Sequence, residues 1–434
     1  MTGPAPAPAG WSATHAHVRA VVAGTGLVIA GVAAGRPDLV LLAAPLALVA
    51  LWAGLTRPQQ TPEVAGTPGA LTMREGEEIS WAATVARLPD HARVASLHPG
   101  QRFLEVEPAH GFVQHATSTG PTSVRYALRP TRWGRRTLGD PAVAAYDRWY
   151  AWRWGPVLLP GARLVVLPAP ASVDAAAPAP HPRGLVGMER AARVGEGTEF
   201  SKVRPFQVGD RLRRIHWPVS ARTGQLHVTA THADEDAHVA LLVDALNDVG
   251  ESTGVTGTPS SMDVTVRATA TLAEHFLRRG DRVGLRVFGA WGVSLLPATS
   301  GQVQLRRILD ALCLIEPGTA RGEKALAARQ GLVAGTLVVL LSPLIDPAAT
   351  QQVAILHRAG LDIVVVDTLP AQLVTSAHDP QALAWRIRML ERRIELDRLA
   401  SLGIAVVGWS GPRSLDQVLR DLTRRSAAPR LVPR

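Results

Sequence analysis

Two apolar runs near the N-terminus constrain this chain more than any other feature. Val18 to Gly35 carries one charge, Arg19, near its start, and Leu39 to Leu55 carries none. Each approaches the ~20 residues, or about 30 Å of helix, that a bilayer core requires. Arg36-Pro37-Asp38 forms a tight polar break between them, so the pattern predicts a helical hairpin over residues 18–56 after a flexible stretch, 1–17. A cleaved signal peptide is a rival reading of the first run, but no Lys or Arg precedes Arg19 and a second run follows at once. A hairpin buried in a soluble core is the other rival. The membrane hairpin is preferred: it brings both chain ends to one side, and Arg19 and Arg57 on that side outnumber Arg36 on the other. Positive-inside counting then places the soluble parts in the cytoplasm. The expectation is a multi-pass protein of the cell membrane that meets the lipid bilayer through residues 18–55.

At 434 residues the chain exceeds a single core, which rarely grows past about 250 residues, so two or three domains are expected. An apolar fraction of 47% with only 19% charged residues excludes a largely disordered chain. Cys313 is the only cysteine, which excludes an internal disulfide framework and a Cys-rich zinc module. The formal charge of +10 is concentrated in three windows: Arg125 to Arg153 and Arg183 to Val228 at +5 each, and Arg386 to Arg434 at +6. Lys202 and Lys324 are the only lysines, a bias that reads as GC-rich coding, because a phosphate-binding surface has no reason to exclude Lys.

Past the hairpin the pattern changes twice. Residues 70–168 hold short alternating stretches, Ile79 to Val85, Ser123 to Leu128 and Arg163 to Leu167, separated by Pro, Gly and Asp. They predict a small antiparallel β-domain. A Pro-rich linker is expected over 169–182, and a distinct, irregular segment over 183–230. Over 231–425 strand and helix periods alternate. Strands are expected at Val239 to Leu246, Arg282 to Phe288, Leu337 to Leu341, Ile363 to Val366 and Ile404 to Val407, with helices at Ser261 to Arg279, Gln302 to Leu314 and Gln381 to Ala400. The last helix places Leu383, Ile387, Leu390 and Ile394 on one face. That alternation predicts a C-terminal, doubly wound α/β domain, followed by a basic tail, 426–434.

The segment Gly195 to Val228 carries the most distinctive text. Its Gly209-Asp210, Arg213-Arg214-Ile215-His216-Trp217 and Ser220-Ala221-Arg222, with Gly197-x-Glu199-Phe200 and Arg204-x-Phe206 before them, resemble the signature of the bacterial domain of unknown function 58 family. Arg135-Arg136-x-Leu138-Gly139, with Asp147 beyond, is similar to that family's β-segment. The resemblance implies a multidomain chain: transmembrane hairpin, β-domain, signature and a von Willebrand factor type A-like α/β domain. It also implies a protein partner, a MoxR-type AAA ATPase, with the α/β domain coupling that ATPase to a client. Gly209, Asp210, Arg213, Arg214, His216, Trp217, Ser220 and Arg222 are then the candidate partner-binding residues. On the residues alone a structural clamp comes first: Gly209-Asp210 suits a turn among arginines, and Trp217 before Pro218 suits burial at a domain junction. Partner binding follows, and nucleic-acid or lipid-headgroup contact comes last.

A von Willebrand-type domain often holds Mg²⁺ through Asp-x-Ser-x-Ser at the end of its first strand. The matching stretch is Asp244-Ala245-Leu246-Asn247-Asp248, with Thr299 as a partner from a second loop; Ser342-Pro343 follows the later strand where an Asp is often found, and Asp346 is close but displaced. Leu246 offers no ligand atom, so the full set cannot form, and a structural Asp holding loop amides is the preferred reading. Residues Thr131 to Trp154 interleave Arg132, Arg135, Arg136, Arg148 and Arg153 with Trp133, Trp149, Trp152 and Trp154. Packing within the fold, lipid contact and nucleic-acid stacking are weighed in that order. The run His232 to His238 reads as a solvated turn. No phosphate-binding Gly-Lys-Ser/Thr loop and no His-Glu-x-x-His occurs, and Gly408-Trp409-Ser410-Gly411-Pro412 ends on Pro where a nucleophile elbow needs Gly. Cys313 falls on an apolar helix face as core. The expectation is a non-enzymatic, membrane-anchored scaffold without a cofactor. A metal-dependent adhesion module and a polyanion binder are the alternatives; nucleic acid is the least favoured partner.

Overall fold

A computed structural model of the chain describes residues 10–66, 70–116, 120–169, 194–207, 212, 215–232, 238–290, 295–318, 332, 336–370, 380–409 and 411. The chain divides into two units: Met1–Leu167 with Gly254–Thr256, and Pro168–Thr253 with Gly257–Arg434. The expected linker beyond residue 169, Gly209, Asp210, Arg213, Arg214, residues 233–237 and the basic tail lie outside the described residues.

The first unit runs β1 (Ser12–Ala13), α1 (His15–Ala34), α2 (Pro37–Leu55), β2 (Glu63–Gly66), β3 (Ala70–Arg74), β4 (Ile79–Ala86), β5 (Arg93–Leu97), β6 (Leu104–Glu107), β7 (Phe112–Ala116), β8 (Thr122–Pro130), β9 (Gly134–Thr137), β10 (Ala142–Tyr146), β11 (Trp152–Leu158) and β12 (Arg163–Leu167). Thr14 caps α1 by accepting the His17 amide at 3.2 Å, and Gly35 ends it in the left-handed region at φ 65°. Pro37 restarts the chain at the first turn of α2, where a missing N–H costs nothing. Both helices are long and apolar enough to cross a membrane. Val22, Ile29, Val32, Leu41, Leu48 and Leu51 point outward, while Gly24, Gly31, Ala43, Ala50 and Ala53 are buried. A β-carbon at Gly31 would come within 2.7 Å of Val40, so this close helix contact needs its glycine. A soluble buried hairpin requires the reverse arrangement, with large apolar groups inside.

Residues 10–17 do not form a free terminus. Trp11 is buried, and Ser12 and Ala13 pair with Arg153 and Trp152 of β11. Two paired residues are too few to show a period, which is why the sequence suggested flexibility. The strand-rich region likewise starts at β2, before residue 70, with Glu63 opposite Ala86.

The strands form sheets ordered β1-β11-β10-β5-β7, β2-β4-β8-β6 and β3-β12-β9. All three sheets feed one core containing Met73, Trp81, Val94, Tyr126, Val143 and Leu164. Strand β8 shows how: Val124, Tyr126 and Leu128 face in, and Arg125 and Arg129 face out, each buried apolar side chain contributing about 1.5–3 kcal/mol. One pair departs from the antiparallel expectation, since β12 lies parallel to β3. These are distant in sequence, so no tight turn dictates their direction.

The second unit runs β13 (Val194–Pro205), α3 (Trp217–Thr223), β14 (His227–His232), β15 (His238–Asp244), α4 (Ser261–Arg278), β16 (Arg282–Phe288), β17 (Leu295–Thr299), α5 (Gln302–Leu312), β18 (Leu337–Ser342), α6 (Pro347–Arg358), β19 (Asp362–Asp367), α7 (Pro380–Ser401) and β20 (Ala405–Gly408). Strands β13 and β14 form an antiparallel ladder with register shifts, an irregularity that hid it from periodicity. The main sheet has the order β17-β16-β15-β18-β19-β20, parallel except for β16–β17. Its inner strands are buried along their length, which explains their unbroken apolar runs. Helix α4 starts with a reciprocal capping box between Ser260 and Asp263. Helix α6 was not expected from the sequence; Asp346 caps it and Pro347 opens it. The order reverses between β15 and β18, so a doubly wound sheet is present, and its ligand crevice belongs at the carboxyl ends of those two strands.

Candidate functional site

At that switch point stand Asp244, the last residue of β15, and Ser342, the last of β18. Both are buried. The Ser342 hydroxyl donates to Asp244 Oδ2 at 2.5 Å and accepts the Leu344 amide at 2.9 Å. Asp244 Oδ1 accepts the Leu246 amide at 3.0 Å. Burial pushes the Asp244 carboxyl up to about 6; the Ser342 and Leu246 hydrogen bonds oppose that rise and the charge of Asp346 adds to it. Asp346 is itself engaged, accepting the Ala348 amide at 2.9 Å and facing Asn247 Nδ2 at 3.4 Å.

The three residues considered for a divalent cation do not converge. Asp248 accepts the Met262 amide at 3.0 Å and faces the Ser261 hydroxyl at 3.4 Å, bracing the first turn of α4. Thr299 lies opposite Val283, whereas Asp244 lies opposite Phe288, five residues along β16. At ~3.3 Å per residue that offsets Thr299 by about 16 Å along the strands, toward the other end of the sheet and two strands across. Spacing along the chain could not reveal this, because it depends on β17 running antiparallel. Among the described residues no group of three or more His, Cys, Asp or Glu is placed to hold a metal ion. The donors at the crevice do not fit Mg²⁺: Asp244 holds a loop amide, as the structural reading expects, and the Ser342 hydroxyl besides.

The described part of the signature is a small scaffold. His216 caps α3, with Nδ1 accepting the Val219 amide at 3.3 Å, and Gly224 closes it at φ 70°. Buried Ser220 donates to the His216 carbonyl at 2.9 Å and accepts the His227 amide at 2.9 Å. The hydroxyl thus ties α3 to the start of β14. Trp217 departs from the expected burial, with 66% of its surface open, and Arg222, in the last turn of α3, is exposed as well. Leu212 and Leu226 are exposed as well.

Helix α7 carries residues the sequence reading did not single out. Arg392 is buried; its Nε donates to the Pro343 carbonyl at 2.9 Å and its guanidinium pairs with Asp367 at 2.6 Å. Arg388 donates to the Ile345 carbonyl at 2.7 Å and pairs with Glu395 at 3.1 Å. Two arginines one turn apart thereby fasten α7 to the loop after β18 and to the last residue of β19. The face expected from periodicity exists, but Leu383, Ile387, Leu390 and Ile394 all look outward. Their 4-3-4 spacing is that of a coiled-coil seam, with Ile at both a positions and Leu at both d positions. The available signal was the opposite face, where Arg388, Arg392 and Glu395 recur at helical spacing.

In the first unit the Arg–Trp window divides. Trp133 and Trp154 are buried, and Arg132 and Arg136 lie over the Phe103 ring at 5.1 and 5.0 Å. Packing within the fold accounts for this half. Arg148 and Trp149 remain exposed on the turn between β10 and β11. Cys313 is buried, as expected of a core position.

Comparison with known proteins places the similarity. Uncharacterized proteins of Mycobacterium tuberculosis and Mycobacterium bovis are each 26% identical over 246 residues, covering 54% of this chain and 69% of their own. A non-cellulosomal cohesin from the hyperthermophilic archaeon Archaeoglobus fulgidus aligns at 12% identity over 25% of this chain and 92% of its own, with a TM-score of 0.18, which carries no argument about the fold. Residues 202–381, spanning α3, the switch point and the sheet through β19, match the family model described as protein of unknown function DUF58.

Proposed function

We propose that this protein is a non-enzymatic, membrane-anchored scaffold or adaptor whose α/β unit docks a helix of a protein partner. The single observation that carries the reading is the outward Leu383–Ile387–Leu390–Ile394 stripe on α7. Four aliphatic side chains in water at seam spacing favour a partner helix, while Arg388 and Arg392 keep α7 seated on its own sheet. Exposed Trp217 on α3 supports the same reading, because aromatic residues anchor protein interfaces. The hairpin supplies the membrane anchor, with α1 and α2 spanning the bilayer. Resemblance to the domain of unknown function 58 family points to a MoxR-type AAA ATPase or its client as the partner, with assembly or maturation of other proteins as the outcome. The switch-point crevice, whose Asp and Ser are spent on each other, supports a docking role over a catalytic one.

A photo-crosslinking residue at Leu390, used in native membranes, tests this. The expected product joins the chain to an AAA ATPase or a protein bound to one. Ile387→Asp with Leu390→Asp should lower its yield by roughly 30-fold, the loss of one interface hot spot. Repeated recovery without any AAA ATPase, or a product joining two copies of this chain, counts against the reading.

A further inference from the structure

The turn between β10 and β11 sits where the hairpin meets the β-sheets. Thr14, the cap of α1, donates through its amide to the Ala151 carbonyl at 2.8 Å and through its hydroxyl to the Tyr150 carbonyl at 2.6 Å. From the last turn of α2, the Ala53 carbonyl accepts the Trp152 indole N–H at 2.8 Å, and Arg57 lies over the same ring at 4.7 Å. Both feet of the hairpin are therefore bonded to one turn. Buried Asp147 makes that turn rigid: Oδ1 accepts the Trp152 amide at 2.7 Å and Oδ2 the Trp149 amide at 3.2 Å. What the turn presents outward is Trp149, 48% exposed, with the Arg148 guanidinium 5.4 Å from its ring centroid.

We infer that Arg148 and Trp149 are a headgroup-level seat, which holds the β-sheets of the first unit against an anionic phospholipid surface. The inference rests on the membrane-spanning reading of α1 and α2. If those helices span, bonds to Thr14 and Ala53 put the turn at the end of the spans, with no linker to let it move away. Amphipathic aromatic rings concentrate at that depth, and a guanidinium beside one meets lipid phosphate. Continuity with the spans and charge complementarity select lipid over nucleic acid: of the two exposed rings on this turn, Tyr150 lies under the Arg93 guanidinium, which leaves Trp149 at the feet of the hairpin without the row of exposed rings that stacked bases require.

The test uses the full chain in vesicles of phosphatidylcholine and phosphatidylglycerol. Buried Cys313 does not compete for label, so single cysteines at Trp149, Leu48 and Phe112 each take an environment-sensitive fluorophore. Leu48 lies mid-α2, and Phe112 lies on β7 at the strand end remote from the turn. A headgroup nitroxide is expected to quench the emission at 149, as for a group at the interface, and to quench it less when phosphatidylglycerol is omitted. An acyl-chain nitroxide should quench the probe at 48, and the probe at 112 should respond to neither. Quenching at 48 without quenching at 149 overturns the seat and leaves the anchor intact. No quenching at 48 overturns the anchor and the seat with it. Quenching at 149 that ignores phosphatidylglycerol overturns the role given to Arg148, and a response at 149 to a single-stranded oligonucleotide in place of lipid overturns the choice of ligand.

Discussion

The hairpin and the α/β unit both turn apolar side chains outward, and they do so in opposite ways. Around α1 and α2 the outward groups run along the whole helix surface, and the buried positions are all glycine or alanine. On α7 the outward groups form one stripe, and the other face buries arginine. Apolar exposure all round suits a solvent of lipid tails, whereas a single stripe at seam spacing suits one partner helix. The interiors differ as well. The hairpin contact is dry and small, while the sheet end of the α/β unit encloses Asp244, Ser342 and Arg392.

The largest effect expected from breaking this contrast is at Leu48, 66% exposed in the middle of α2. Leu48→Arg should cost about 3–4 kcal/mol of membrane insertion, the difference between the two residues at a span centre. Comparing the membrane-integrated fraction of the two chains checks this. Ile394→Arg on α7, 53% exposed, should leave folding stability within about 0.5 kcal/mol. Equal outcomes for the two substitutions would remove the distinction between them.

Much of this architecture was legible because burial writes itself into period. Strands β15 and β18 are apolar runs since both faces are covered, and α4 shows its buried face plainly. The losses have specific causes. Strand β1 is too short for a period, and α6 announced itself only through Asp346-Pro347. Thr299 was paired with Asp244 because spacing cannot say which end of a sheet an antiparallel edge strand brings near. Period placed Leu383, Ile387, Leu390 and Ile394 on one face of α7 but could not say whether that face looks in or out. The ends of two strands mark Asp244 and Ser342 in the sequence, but a hydrogen bond between side chains 98 residues apart leaves no local sign.

Arg392 gives the next effect in size. Its guanidinium is held by the Pro343 carbonyl and the Asp367 carboxylate, with both side chains largely shielded. Arg392→Ala strands Asp367 and should cost about 3 kcal/mol, read as a lower denaturation midpoint and faster proteolysis within α7. Arg386→Ala, an exposed position on the same helix, should change stability by less than about 0.5 kcal/mol. A similar loss at both positions would mean that α7 is held by general helix packing instead of by its inward arginines.

Asp244 sharpens the difference between the interiors through pH. Its carboxyl is raised from 3.8 to about 6, so between those values the folded chain holds a proton that the unfolded chain has released. Stability from this group is therefore complete below about 4, falls as pH rises through about 6, and is flat above. At about 1.4 kcal/mol per unit the whole window spans roughly 3 kcal/mol. Asp244→Asn keeps an acceptor for the Leu246 amide and removes the titration, though its amide meets the Ser342 hydroxyl less well. The expected net gain is about 1–2 kcal/mol at pH 8, with a small loss at pH 4. Denaturant midpoints across that range measure both. A mutant that loses stability equally at pH 4 and pH 8 would show that folding does not raise the Asp244 carboxyl, restoring the case for a cation at the switch point.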